Sequence, residues 1–66
     1  MLPTLKASRM MKAEAYLADY VKIPTSQVDW YTANLAVVNM KLSWRCSWDK
    51  AAAHVGRKVN EGSFRK

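Results

Sequence analysis

The sequence is poor in the residues that small proteins use to brace a fold. It has one cysteine, Cys46, which excludes an internal disulfide, and one histidine, so no Cys/His set has the spacing of a metal site. A lone thiol suits a reducing, cytoplasmic setting. No apolar run approaches the ~20 residues that a membrane-spanning helix needs. We therefore expect a cytoplasmic protein with no membrane segment, no metal and no cofactor.

Acidic residues are also scarce, with five Asp and Glu against 11 Lys and Arg, which gives a net charge of +6. The charge is uneven: residues 1–12 carry +3, residues 13–44 carry −1 and residues 45–66 carry +4. Basic ends around a nearly neutral centre favour a polyanionic partner, because Lys and Arg side chains neutralise phosphates.

The chain offers little for catalysis. Cys46 and His54 are too far apart in sequence to predict a thiol–imidazole pair, and Asp19, Asp29 and Asp49 show no paired-carboxylate spacing. With only two glycines, no Gly-rich loop can cradle a phosphate. We expect no catalytic residues and no enzyme.

Residues 1–66 are long enough for one domain, and we expect its core to draw on the three Trp and three Tyr. Ser8 can cap a first helix that runs to about Lys22 and is ended by Pro24, and Thr25 or Ser26 can cap the second. Apolar residues then continue over residues 26–45, either as one helix or as two with a break near Asn34 or Asn39.

Ser47 can cap a third helix, Trp48–Val55, which Gly56 would end. Residues 1–7 are expected to form a flexible arm and residues 57–66 a basic tail or wing, in which Asn60-Glu61-Gly62 allows a short hairpin. The predicted fold is a small all-α domain of three or four helices.

Residues 14–33 have the burial pattern of a helix-turn-helix, in which a second helix is offered to the DNA major groove. The apolar positions of this pattern are Leu17, Ala18, Val21, Ile23, Val28 and Tyr31, and Thr25-Ser26-Gln27 opens the second helix. The segment resembles the helix-turn-helix of small phage and bacterial regulators of the Cro and CII type. A second run, from Ser47 to Lys58, resembles the middle of Myb-like DNA-binding repeats.

The first resemblance implies a small DNA-binding regulator of phage or plasmid type that contacts duplex DNA. The residues expected to carry this contact have small hydroxyl, amide or basic side chains. They are Thr25, Ser26, Gln27, Arg45, Arg57 and Lys58, assisted by Lys6 and Arg9.

The alternative is a protein-interaction module, an inhibitor or adaptor of a host protein, or a helical subunit of a larger assembly. The wide apolar face of residues 26–45 also predicts a homodimer. The expected partner-binding residues are Trp30, Val37, Met40 and Trp44. The pattern leaves open whether Trp30 lies in the core or on the surface.

Overall fold

The computed structural model describes the backbone of residues 5–66 and the side chains from Ser8 onward. This part of the chain forms α1 (Leu5–Ala18), a 3-10 turn (Thr25–Gln27), α2 (Trp30–Trp44) and α3 (Trp48–Asn60). Its β-pairing is limited to one isolated antiparallel bridge between Val28 and Arg65. The predicted all-α class is confirmed. No helix within residues 5–66 has the length and apolarity to span a bilayer.

The three helices run up, down and up. Glu14 of α1 meets Asn34 near the middle of α2, and the start of α1 lies beside the end of α2, so these two helices are antiparallel. Tyr20, just past the end of α1, lies against Gly56 in the second half of α3. One end of the domain therefore holds the start of α1, the end of α2 and the start of α3.

Helix α1 is shifted towards the N-terminus relative to the prediction. It begins at Leu5, so residues 5–7 belong to a helix, and the rest of the expected arm lies outside the described residues. It ends at Ala18 rather than near Lys22, because the Asn60 side chain of α3 forms hydrogen bonds with the backbone of the residues that follow. The Asn60 amide donates to the Tyr20 carbonyl at 2.9 Å, and its Oδ1 accepts from the Lys22 N–H at 2.7 Å.

Helix α2 is a single uninterrupted helix. The prediction that it begins at Thr25 or Ser26 is wrong. Asp29 is its N-cap: one carboxylate oxygen accepts from the Thr32 N–H at 3.3 Å and the other from the Thr32 hydroxyl at 2.8 Å. Thr25, Ser26 and Gln27 form the preceding 3-10 turn, closed by the Gln27 N–H on the Pro24 carbonyl. Helix α2 begins here because the Asp29 side chain caps its first turn, whereas the 3-10 turn has no side-chain cap at its start.

Helix α3 begins at Trp48, as predicted, because the Ser47 hydroxyl accepts from the Lys50 N–H at 3.0 Å. It continues through Gly56 to Asn60, so the prediction that Gly56 ends the helix is wrong. The expected hairpin around residues 60–62 is not formed either. Instead the tail folds back, with the Phe64 carbonyl accepting from the Asp29 N–H at 2.7 Å.

The fully buried core is made of small aliphatic side chains rather than of the aromatic residues expected there. Its members are Ala13, Leu17, Val28, Ala33, Val37, Val38, Ala51, Ala52, Val55 and Val59. Trp30, Trp48, Tyr20 and Phe64 pack around this core as a half-buried shell. The short core side chains let three helices approach closely, and the aromatic shell supplies the remaining apolar burial.

Candidate nucleic-acid interface

The side of α3 that faces away from the core carries basic residues. Its buried side chains recur on one face, at Ala51, Ala52, Val55, Gly56 and Val59. Lys50 and Arg57, two helical turns apart, lie on the opposite, exposed face, and Lys58 is exposed on its flank. We call Lys50, Arg57 and Lys58 the basic face of α3. The strong division between apolar and basic sides fixes the direction in which these charges point.

A short turn places a further basic residue and a tryptophan side chain beside α3. Arg45 ends α2 in the left-handed conformation, with φ of 52°, and only Cys46 and Ser47 separate it from α3. The Trp44 ring lies 5.9 Å from the His54 ring, centroid to centroid. Trp44 is 65% exposed, so its indole lies on the surface next to α3.

The predicted nucleic-acid residues are spread over both ends of the domain. Arg57 and Lys58 lie on α3, and Arg45 lies at the turn before it, ~15 Å away along the helix axis. Thr25, Ser26 and Gln27 are exposed at the other end of the domain. They are not brought together with Arg45.

The Thr25–Gln27 turn is occupied by contacts within the chain. Gln27 Oε1 accepts from the Arg65 guanidinium at 3.1 Å, and the Gln27 carbonyl accepts from the Lys66 N–H at 3.1 Å. The Trp30 indole N–H donates to the Thr25 carbonyl at 3.0 Å. The turn is thus hydrogen-bonded to the C-terminal tail and to α2. The carboxamide oxygen of Gln27 could bind a nucleobase only if its hydrogen bond with Arg65 were broken.

The predicted partner-binding residues have very different exposures. Val37 is 0% exposed and belongs to the core, whereas Trp30 and Met40 are half-buried against it. Only Trp44 presents most of its side chain to solvent. Other large apolar residues are also exposed, among them Met11 at 75% and Tyr31 at 63%.

A basic groove lies where the start of α1, the end of α2 and the start of α3 meet. It is lined by Ser8, Arg9, Lys12, Lys41, Leu42 and Trp48 and has a volume of about 300 Å³. The Lys41 ammonium lies 5.3 Å from the centroid of the Trp48 ring. From this set, the sequence predicts only Arg9 as a nucleic-acid contact, because the groove is formed only when the three helices pack.

A hydrogen bond between Tyr20 and Asp49 shifts the titration of the tyrosine. The Tyr20 hydroxyl donates to Asp49 Oδ1 at 2.6 Å. This hydrogen bond to a carboxylate, joined by burial and by the charges of Asp49 and Asp19, raises the pKa of Tyr20 above its ordinary value of 10.0. The pair ties α1 to α3, and it directs the Asp49 carboxylate towards α1.

The fold places Cys46 and His54 against different groups. Within residues 8–66, no group of three His, Cys, Asp or Glu side chains could hold a metal ion. Cys46 Sγ lies 3.9 Å from the Met40 carbonyl, whereas the His54 ring lies against Trp44. Comparison with protein-family models, with curated proteins and with solved structures finds no match to this chain.

Proposed function

We propose that this protein is a small DNA-binding regulator that contacts duplex DNA through the basic face of α3. The observation that carries this proposal is the exposure of Lys50 and Arg57 on one side of a helix whose other side is buried. Two turns separate them, about 10 Å along the axis, so both can reach phosphates when the helix lies against a groove ~12 Å wide.

The α2–α3 connection supports a helix-turn-helix role for this pair. The helix-turn-helix motif joins its helices by a turn of about three or four residues. Arg45, Cys46 and Ser47 form such a turn between α2 and α3, whereas α1 and α2 are separated by residues 19–29. The proposal therefore moves the motif from residues 14–33 to α2 and α3, with α3 as the helix presented to DNA.

The exposed face combines short and basic side chains with an aromatic pair. Ala53 lies between Lys50 and Arg57 on the same side of α3, and the exposed Trp44 ring lies against His54 on that side. Asp49, the acid nearest the start of the helix, is engaged by Tyr20. Arg45 adds a positive charge at the turn, where it can contact a phosphate outside the groove.

Fluorescence anisotropy with a labelled duplex tests the proposal. K50Q/R57Q removes two charges from the basic face of α3, and K22Q/K66Q removes two exposed charges elsewhere. If Lys50 and Arg57 each neutralise a phosphate, the first variant should make the negative slope of log affinity against log salt shallower by about 1.8. The second should leave the slope unchanged. Equal losses in the two variants would contradict a localised interface.

The exposure of Trp44 favours a second candidate, a protein-binding surface that could also serve a homodimer. Large exposed aromatic residues dominate the binding energy of many protein interfaces. Sedimentation at high micromolar concentration distinguishes the two candidates. A dimer that W44S converts to the 7.5 kDa monomer would favour protein binding through Trp44. A monomer that binds duplex with a steep salt dependence would favour the DNA proposal.

A further inference from the structure

The groove at the meeting point of the three helices combines positive charge with an aromatic wall. Arg9 and Lys12 are three residues apart on α1, so both lie along the same side of that helix. Lys41 approaches from α2, and Trp48 and Leu42 add apolar surface. The lining contains three cations and no carboxylate, so it attracts an anion that also has an apolar or aromatic part.

The contact between Lys41 and Trp48 shows how such a ligand can be held. At 5.3 Å from the ring centroid, the ammonium lies within the range of a cation–π interaction. One face of the Trp48 ring therefore borders the groove, where the Lys41 side chain lies over it. A flat aromatic group can replace the Lys41 head on the indole, and the displaced ammonium can then contact an adjacent anion.

We infer that this groove binds an unpaired nucleotide of a single-stranded nucleic acid. The base stacks on Trp48, and the neighbouring phosphates contact Arg9, Lys12 and Lys41. Proteins that hold single strands combine these two elements, a basic channel for the backbone and an aromatic platform for a base. The volume of about 300 Å³ lies at the small end of ligand sites, which suits one base with its sugar and phosphate.

The shape of the site favours a nucleotide over an anionic membrane. Segments that bind a lipid surface project their apolar side chains outward into the bilayer. Trp48 is instead half-buried at the wall of a concave groove. Lys50 and Arg57 are not among the lining residues, so this site is separate from the proposed duplex-binding face and does not depend on it.

Anisotropy with a labelled oligothymidylate of about ten nucleotides tests the site. R9Q/K12Q should make the negative slope of log affinity against log salt shallower by about 1.4, the value for two phosphates of a single strand. K22Q/K66Q, which removes the same charge away from the groove, should leave the slope unchanged. W48L should weaken binding about tenfold because the stacking surface is lost, whereas W48F should stay close to the wild type.

Two controls separate this inference from the duplex proposal. K12Q should bind duplex DNA as K22Q does, and K50Q/R57Q should bind the single strand as K22Q/K66Q does. If W48L fails to fold by circular dichroism, the charge variants and W48F still decide the question. The inference is overturned if R9Q/K12Q loses no more single-strand affinity than K22Q/K66Q, or if the wild type binds phosphatidylserine vesicles and not the oligonucleotide.

Discussion

Gly56→Ala should destabilise the protein although alanine is the better helix former. A Cβ atom at Gly56 would lie 2.5 Å from the Cβ of Tyr20. Ordinary carbon–carbon contacts are about 3.5–4.0 Å, so α1 and α3 would have to separate by about 1 Å at this point. Neither helix can yield freely, because the Tyr20 hydroxyl is bonded to Asp49 and the Tyr20 carbonyl to Asn60.

The expected size follows from three opposing contributions. Overpacking of this kind costs about 1–3 kcal/mol, and the loss of one hydrogen bond between α1 and α3 costs about 1 kcal/mol more. Replacing a helical glycine by alanine returns about 1 kcal/mol. The net loss of about 2 kcal/mol should lower the Tm of a domain of this size by roughly 8–16 °C.

Thermal unfolding followed by far-UV circular dichroism measures this change. Gly62→Ala is the control, since a Cβ there meets no atom within 4 Å and only its φ of 110° strains the backbone. The penalty of Gly56→Ala should persist in a Tyr20→Ala background, because the clashing atom is the Cβ that alanine keeps. A Tm that rises on Gly56→Ala, or a penalty that disappears with Tyr20→Ala, would refute the close approach of α1 and α3.

Three further predictions concern single side chains. Because only the protonated Tyr20 hydroxyl donates to Asp49, its stabilisation is complete below the ordinary tyrosine pKa of 10.0 and is lost as the pH rises through the raised value. The difference in urea midpoint between the wild type and Tyr20→Phe should therefore shrink at alkaline pH. Arg45→Gly should raise the Tm by relieving a left-handed residue worth about 1 kcal/mol, while weakening duplex binding in anisotropy. Asn34→Leu should raise the free energy of unfolding by about 1 kcal/mol, seen as a higher urea midpoint, because the buried Asn34 Oδ1 has no hydrogen-bond partner in the part of the chain that the structure describes.

The sequence predicted the helices best where a local hydrogen bond decides the boundary. Ser47 begins α3 because its hydroxyl satisfies a backbone donor of the first turn. Asp29 has the same role for α2, and its spacing to Thr32 could have identified it as the cap. The sequence instead predicts a helix start at Thr25 or Ser26, because hydroxyl residues after a proline also favour a helix start.

Predictions failed where contacts distant in sequence decide the outcome. Gly56 has the local properties of a helix end, yet α3 passes through it. Glycine is found at this position because a side chain there would overlap Tyr20. The basic groove could not be predicted from the sequence, because Arg9, Lys41 and Trp48 become neighbours only when the three helices pack. Val37 was expected at an interface, but the same apolar character places it in the core. Apolar periodicity alone does not say which partner covers an apolar face.

An NMR titration of the labelled protein with a short duplex tests the central claim most directly. The account predicts that the largest backbone amide shifts fall on α3 around Lys50, Ala53 and Arg57, with smaller shifts at Arg45. It also predicts that these shifts decrease as salt is added, because phosphate contacts release counterions. Shifts centred on Thr25–Gln27, or no shifts at low salt, would contradict the proposed use of α3.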